Sequence, residues 1–438
     1  MKLFNLDIKI DKQNIESLKD RGLAKVKTFF GNKKRNVILI ILSSLFVINL
    51  ILGAISDHIV ALMPEMAGAE RWSTEHRMAQ ISLYFTEDQM VEVEGIKRLE
   101  YNIEKKLNDA GVTVETYLDI DPEELSSKQQ IVETIRIEDL GNEQPQPADN
   151  VPTISDLYAS CYSAQGIISI TFEDRTAENV NAIGVGGDFF IMHPLTLVNG
   201  TYFSDDNLMR DGIVIDEDMA WQLFGSSNIV GEMVTIGGIP HYITGVIHKD
   251  RGRMRKAAGL NDSYVYLSYD SLARYGDILS GKTASKEVSE EGDTMLTGGI
   301  NCYEAIMPNP VDGIAAKIVK ESAGVDDRYI SVIDNTDRFS FFSLIRVIRD
   351  FGTRSMWGKP IFYPYWENTA RGWEDVLALI LFFRLICMGI IVVSITIWIV
   401  HLYRHKKWTA GSVLQYILDK KYDFESRRKY YEKENKLF

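Results

Sequence analysis

Cysteine is scarce in this chain: three in 438 residues, at Cys161, Cys302 and Cys387. So few thiols exclude a disulfide-stapled scaffold and leave open whether Cys161 and Cys302 pair or stay free. Histidine is nearly as sparse, with seven residues scattered at 58, 76, 193, 241, 248, 401 and 405. Only His401 and His405 stand four apart. They neighbour Arg404 and Lys406, so a basic face at a membrane boundary accounts for them better than a ligand pair. No metal, no cofactor and no catalytic residue is expected, and no Ser/His/Asp or Cys/His grouping can be placed. Basic residues are outnumbered 48 to 61, for a net charge of −13, which argues against nucleic acid as a partner.

Charge is also missing from two long runs. Residues 36–56 (NVILIILSSLFVINLILGAIS) carry none, and residues 376–400 carry only Arg384. A spanning helix needs about 20 mostly apolar residues, and both runs meet that length. Residues 1–35 have a net charge of +6 and residues 401–438 of +5. Basic clusters abut each run: Lys33, Lys34 and Arg35 before the first, Arg404, Lys406 and Lys407 after the second. The positive-inside rule then places both ends in the cytoplasm and residues 57–375, with a net of −25, outside. Ala54-Ile55-Ser56 resembles a cleavage site, but the 35-residue basic leader and the length of the run read as a retained anchor. Arg384 lies about 12 Å deep at ~1.5 Å per residue. A buried membrane arginine either faces a partner or snorkels to the headgroups; a helix or subunit contact is favoured, with a carboxylate of another chain, because the first run offers none.

The expected organisation is a basic segment at 1–35 with amphipathic spacing at 10–30, a span at 36–56, an outer domain at 57–375, a span at 376–400 and a basic tail at 401–438. Within the outer domain, strand–helix–strand pieces are predicted at each end. The first has a strand at 81–85, a helix at 91–110 and a strand at 112–120. The last has a strand at 300–307, a helix at 311–323 and a strand at 329–333. Between them lie a loop at 141–152, a hairpin strand at 166–172, short strands at 212–215, 233–236, 242–247 and 264–267, and an acidic loop at 276–299. An amphipathic helix at 341–351 leads to the second span. This order predicts an α+β sandwich near the membrane, from 57–180 and 300–375, with a β-rich module inserted at 181–299.

One motif misleads. Gly276-Asp-Ile-Leu-Ser-Gly-Lys282-Thr283 fits GxxxxGK[ST]. A phosphate loop needs a buried strand before it and a helix after it. Here the preceding residues look helical and the following ones are acidic, so the match is read as chance.

Residues 184–247 carry a pattern with more content. Gly187-Asp-Phe189-Phe190 is followed by Leu197 to Gly200 with Phe203-Ser204, the strand Ile213 to Asp216 with Glu217, and Ala220-Trp-Gln-Leu-Phe224-Gly225. Ile229-Val230-Gly231 and the strand at 242–247 complete it. This resembles the extracytoplasmic core domain of MacB-type ABC transporter permeases, the superfamily that includes FtsX and the lipoprotein-releasing permeases. The resemblance implies a membrane-near α+β part with an inserted β-rich part, motif residues that shape a fold rather than a catalytic site, and a role in passing ATP-driven motion to the outer domain. Family permeases have four spans. The two read here imply a separate four-span permease and a cytoplasmic ABC ATPase as partners beside membrane lipid. An FtsX-like scaffold that regulates a cell-wall enzyme is the alternative.

Overall fold

The computed structural model describes residues 33–73, 76–112, 157–204, 209–280, 299–354, 359–405 and 410–434. The chain divides into two compact units, residues 1–55 with 382–438, and residues 56–381.

Both uncharged runs are helical. Helix α1 (Lys33–Ala61) holds the first, and the forty-residue α7 (Tyr365–Arg404) holds the second. Only 11% and 17% of their most apolar stretches are buried. A core helix of a soluble domain hides its apolar side chains from solvent; these expose them, as a lipid-facing helix does. In the first unit the two helices touch through polar groups. Asn49 Nδ2 donates to the Arg384 carbonyl at 3.1 Å. A Cβ added at Gly53 would stand 3.2 Å from the Arg384 guanidinium, so the missing side chain makes room for the arginine. Arg384 therefore lies against the other apolar helix of its own chain. The tail forms helix α8 (Ala410–Glu434).

The second unit is built on one eleven-stranded sheet. Its strands are β1 (Met78–Phe85), β2 (Ala159–Phe172), β3 (Arg175–Gly187), β4 (Leu197–Gly200), β5 (Gly212–Asp216), β6 (Met233–Ile236), β7 (Ile239–Ile247), β8 (Tyr264–Ser268), β9 (Asp277–Ile278), β10 (Cys302–Pro308) and β11 (Ile330–Asp334). The main path runs β11-β1-β10-β2-β3-β8-β5-β7-β4, with β6 pairing β2 and β7, and β9 pairing β2. In its first four strands every neighbour is antiparallel. β1 and β2 are thus parallel with β10 between them, and β10 and β11 are parallel with β1 between them. Helix α2 (Val93–Asp109) follows β1, and helix α5 (Ile314–Ser322) joins β10 to β11. Two split β-α-β units interlock, as in ferredoxin-like folds.

Each face of this half-sheet has its own core. Ile81 and Leu83 of β1 meet Ile96, Leu99, Ile103 and Leu107 of α2 and Ile318 and Val319 of α5. Four α2 residues at spacings of three and four form that contact stripe. On the other face Tyr84, Cys161, Cys302 and Ile306 meet Phe189, Tyr365 and Trp366. All eight residues of β1 are buried, so its alternation is invisible as hydrophobic-in, polar-out.

The predicted short strands all form, as does an amphipathic helix, α6 (Phe341–Asp350). β2 lies parallel to β1 with β10 between them; the strand expected at 112–120 lies, Val112 apart, outside the described residues. The β2–β3 hairpin runs through both the membrane-near and the β-rich part. β10 pairs with the first residues of β2, and β6 and β9 pair with later ones. The expected break at 180/181 falls inside β3. The loop at 141–152, residues 10–30 and most of 276–299 lie outside the described residues.

Candidate functional site

The start of α7 carries Glu367, Arg371 and Glu374 at i, i+4 and i+7, which puts them on one helix face. Opposite stands Arg338, four residues past β11. Glu367 is fully buried and Arg338 is 6% exposed. The guanidinium grips Glu367 in a fork, Nη1 to Oε2 at 2.6 Å and Nη2 to Oε1 at 2.9 Å. Its Nε donates to Glu374 at 2.5 Å, and Nη1 also reaches Asn335 at 3.0 Å. Arg371 Nε donates to Glu367 at 2.7 Å, while its guanidinium lies 3.8 Å from the Tyr363 ring centre. Arg354 pairs with Glu374 and, at 2.8 Å, with Asp375. Burial would push the Glu367 carboxyl up; the guanidiniums of Arg338 and Arg371 outweigh it and hold the group below the usual carboxylate range.

This seam continues into the sheet. Asn335 Nδ2 donates to Ser82 Oγ at 2.8 Å, and Ser82 donates to Glu304 Oε1 at 2.7 Å. Glu304 Oε2 stands 2.5 Å from His193 Nε2. The His193 ring stacks 4.5 Å from Phe189 and lies 4.6 Å from Trp366. A chain of buried polar contacts therefore joins strands β1 and β10, and the turn after β11, to the helix that becomes the second apolar run. Such a network is rigid when every member is satisfied. Beside it, a cavity of about 240 Å³ is lined by His193, Trp366, Tyr365, Tyr266, Glu65 and Arg255.

The motif residues read from sequence lie elsewhere and shape the chain. Gly187 has φ +66°, and a Cβ there would fall 2.4 Å from the Ser160 carbonyl; only glycine fits. Phe189 packs into the aromatic cluster, and Phe190 stacks 4.6 Å from Tyr202 and stands 5.1 Å from Phe203. Asp216 caps helix α3 (Glu217–Phe224), accepting from Met219 N at 2.7 Å and from Tyr264 N at 3.0 Å. Its neighbour Glu217 pairs with His248 at 3.0 Å. Ala220 is buried, Phe224 lies 4.0 Å from Phe172, and Gly225 ends the helix. Gly200 and Gly231 sit beside β7, against Thr244 and Ile243. Asp216→Ala should lower stability by about 1–2 kcal/mol through the lost cap, read by urea unfolding of the full chain in detergent; an unchanged midpoint would deny the capping role.

The segment before Gly276 is helix α4 (Tyr269–Tyr275), where a phosphate loop would need a strand; Lys282 lies outside the described residues. The seam itself was missed. Most of its partners are far apart in sequence; the local signal was the helical spacing of Glu367, Arg371 and Glu374 before the second apolar run.

Comparison with known proteins gives a consistent family. The profile of the MacB-like periplasmic core domain matches residues 57–297. A macrolide export ATP-binding/permease protein MacB of Chromobacterium violaceum is 29% identical over 157 residues, 33% of this chain and 23% of that protein. One from Aeromonas hydrophila is 24% identical over 160 residues, 36% and 22% of the two chains. The matched stretch thus spans under a quarter of the length of these relatives. Among solved structures, the periplasmic region of MacB from Actinobacillus actinomycetemcomitans aligns with a TM-score of 0.33 at 12% identity, covering 62% of this chain and 92% of that one. The extracellular domain of the noncanonic ABC-type transporter YknZ from Gram-positive bacteria aligns with a TM-score of 0.29 at 15% identity, covering 58% and 99%. With that profile matched over more than half of its length, this protein, a membrane chain with an extracellular domain, belongs to the MacB-like periplasmic core domain family.

Proposed function

We propose that the chain is a permease-like or accessory subunit of a MacB-type ABC transport system, without catalysis of its own, that couples motion of a cytoplasmic ATPase to its extracellular domain. The observation that carries this is the buried seam. Arg338, Glu367, Arg371 and Glu374 bind the head of α7 to the sheet, so a shift or rotation of that helix has no compliant joint in which to be absorbed. The orientation with both termini inside belongs to this reading, as do a separate four-span permease and the ATPase as partners.

Purification of the tagged full-length protein in mild detergent tests it. Co-elution of an ABC ATPase with a four-span membrane protein is the expected result. Elution with neither ends the transport reading, and elution with a cell-wall hydrolase in their place would establish a scaffold of the FtsX kind.

A further inference from the structure

The sheet end of the seam holds, beside Glu304 and His193, a buried thiol that the seam does not use. Glu304 and Cys161 are directly opposed across β10 and β2, and opposed residues of an antiparallel pair share a face. His193 is brought onto that face by the short turn at Phe189–Met192 after β3. The ligand atoms of Cys161, His193 and Glu304 all lie within 4.8 Å of one another. The residues are 1%, 4% and 1% exposed. Cys161 is a free thiol.

Two features of this cluster need a cause. A carboxylate taken out of water is costly unless a positive charge meets it. Glu304 has Ser82 and His193 as hydrogen-bond partners, and among the described residues no guanidinium or ammonium forms an ion pair with it. A His–Glu hydrogen bond accounts for two of the three groups, and the thiol beside them would then serve as core packing alone. Cys161 also stands where a β-branched or aliphatic residue would fill a sheet core equally well.

We propose that Cys161, His193 and Glu304 bind one divalent transition-metal ion of the zinc class. A thiolate, an imidazole nitrogen and a carboxylate oxygen are the donor types that zinc takes, and three protein ligands leave one position open. The surroundings are those of a metal site. Ser82, itself held by Asn335, orients Glu304 through Oε1 and leaves Oε2 toward the cluster. Phe189 and Trp366 fix the imidazole plane from two sides. Ligands held by such outer partners bind metal more tightly. His193 also lines the 240 Å³ cavity, which gives the ion a route to the cluster. On binding, the Cys161 thiol gives up its proton, as does any proton shared by His193 and Glu304; the ion replaces them and no electron is transferred.

The test uses the full-length protein in detergent, stripped with a chelator and reloaded with zinc or cobalt(II). One zinc per chain should remain after gel filtration. Cobalt should give a near-ultraviolet thiolate-to-metal absorption, and that band should be lost in Cys161→Ser and kept in Cys302→Ser. Zinc should raise the thermal midpoint of the wild-type protein but not that of His193→Gln. No retained metal, a cobalt spectrum without the thiolate band, or a band that survives Cys161→Ser would each overturn the proposal. If Cys161→Ser does not fold, the wild-type stoichiometry and cobalt spectrum decide the matter alone. None of these readouts depends on transport or on a partner protein.

Discussion

Arg338→Met should destabilise the extracellular unit by about 3–5 kcal/mol, the usual result of removing one partner of a buried ion pair. The methionine fills the space of the arginine stem, so the loss is electrostatic. It strands Glu367, which no solvent reaches, and takes a donor from Glu374. Arg371 remains on Glu367 but is partly exposed and cannot supply the two-pronged contact. Thermal unfolding of the full chain in detergent measures the effect. The rate at which the buried thiols of Cys161 and Cys302 react with a maleimide gives a second reading. In a double-mutant cycle, Arg338→Met with Glu367→Gln should cost less than the sum of the two single changes; additive losses would show that the pair does not act as a unit.

The same pair gives a pH dependence of known sign. The folded state holds the Glu367 carboxyl below its ordinary value. A depressed carboxylate contributes stability that is present above its unfolded pKa, about 4.3 for glutamate, and is lost as the pH falls through the lower folded value. Acid unfolding of the wild type should therefore show a step below about pH 4.3 that is absent when Glu367 is glutamine.

Trp366→Ala should cost a similar amount, about 3–5 kcal/mol, by opening a cavity among Phe189, His193 and Tyr365. Trp366→Phe should cost much less. The Trp366 indole N–H has no acceptor among the described residues, so phenylalanine removes an unpaired polar group together with part of the ring. Unfolding of both variants distinguishes packing from polarity: near-equal losses would mean that the N–H itself contributes to stability.

How much of this was legible beforehand follows from what each signal depends on. The two apolar helices and the short strands from β5 to β8 depend on local composition, and they lie where the residues put them. The sequence signal for β2 begins only at 166, because Ala159 to Gln165, Tyr162 apart, is small or polar. Those residues are strand by virtue of β10 and β3 on either side, a tertiary cause that no local pattern carries. The turn at Glu173-Asp174 joins β2 to β3 in one long hairpin. The seam was hidden for a different reason. Ser82, His193, Glu304, Arg338 and Glu367 come from five separate segments, and each alone resembles an ordinary polar residue. Glu367, Arg371 and Glu374 at helical spacing, just before a spanning run, were the exception and could have been read as a buried charged stripe.

The placement of β1 has a mechanical consequence. It is the first strand after α1, and it is bonded along both edges, to β10 and to β11. Backbone hydrogen bonds in antiparallel ladders lie across the strands. Tension along β1 would therefore load two ladders in shear, with all their bonds sharing the force at once. β4, at the opposite edge, is bonded on one side only and with a register irregularity; it would peel, one bond at a time. The strand through which a pull from the first apolar helix would enter is thus loaded in shear, whereas the rim at β4 would peel.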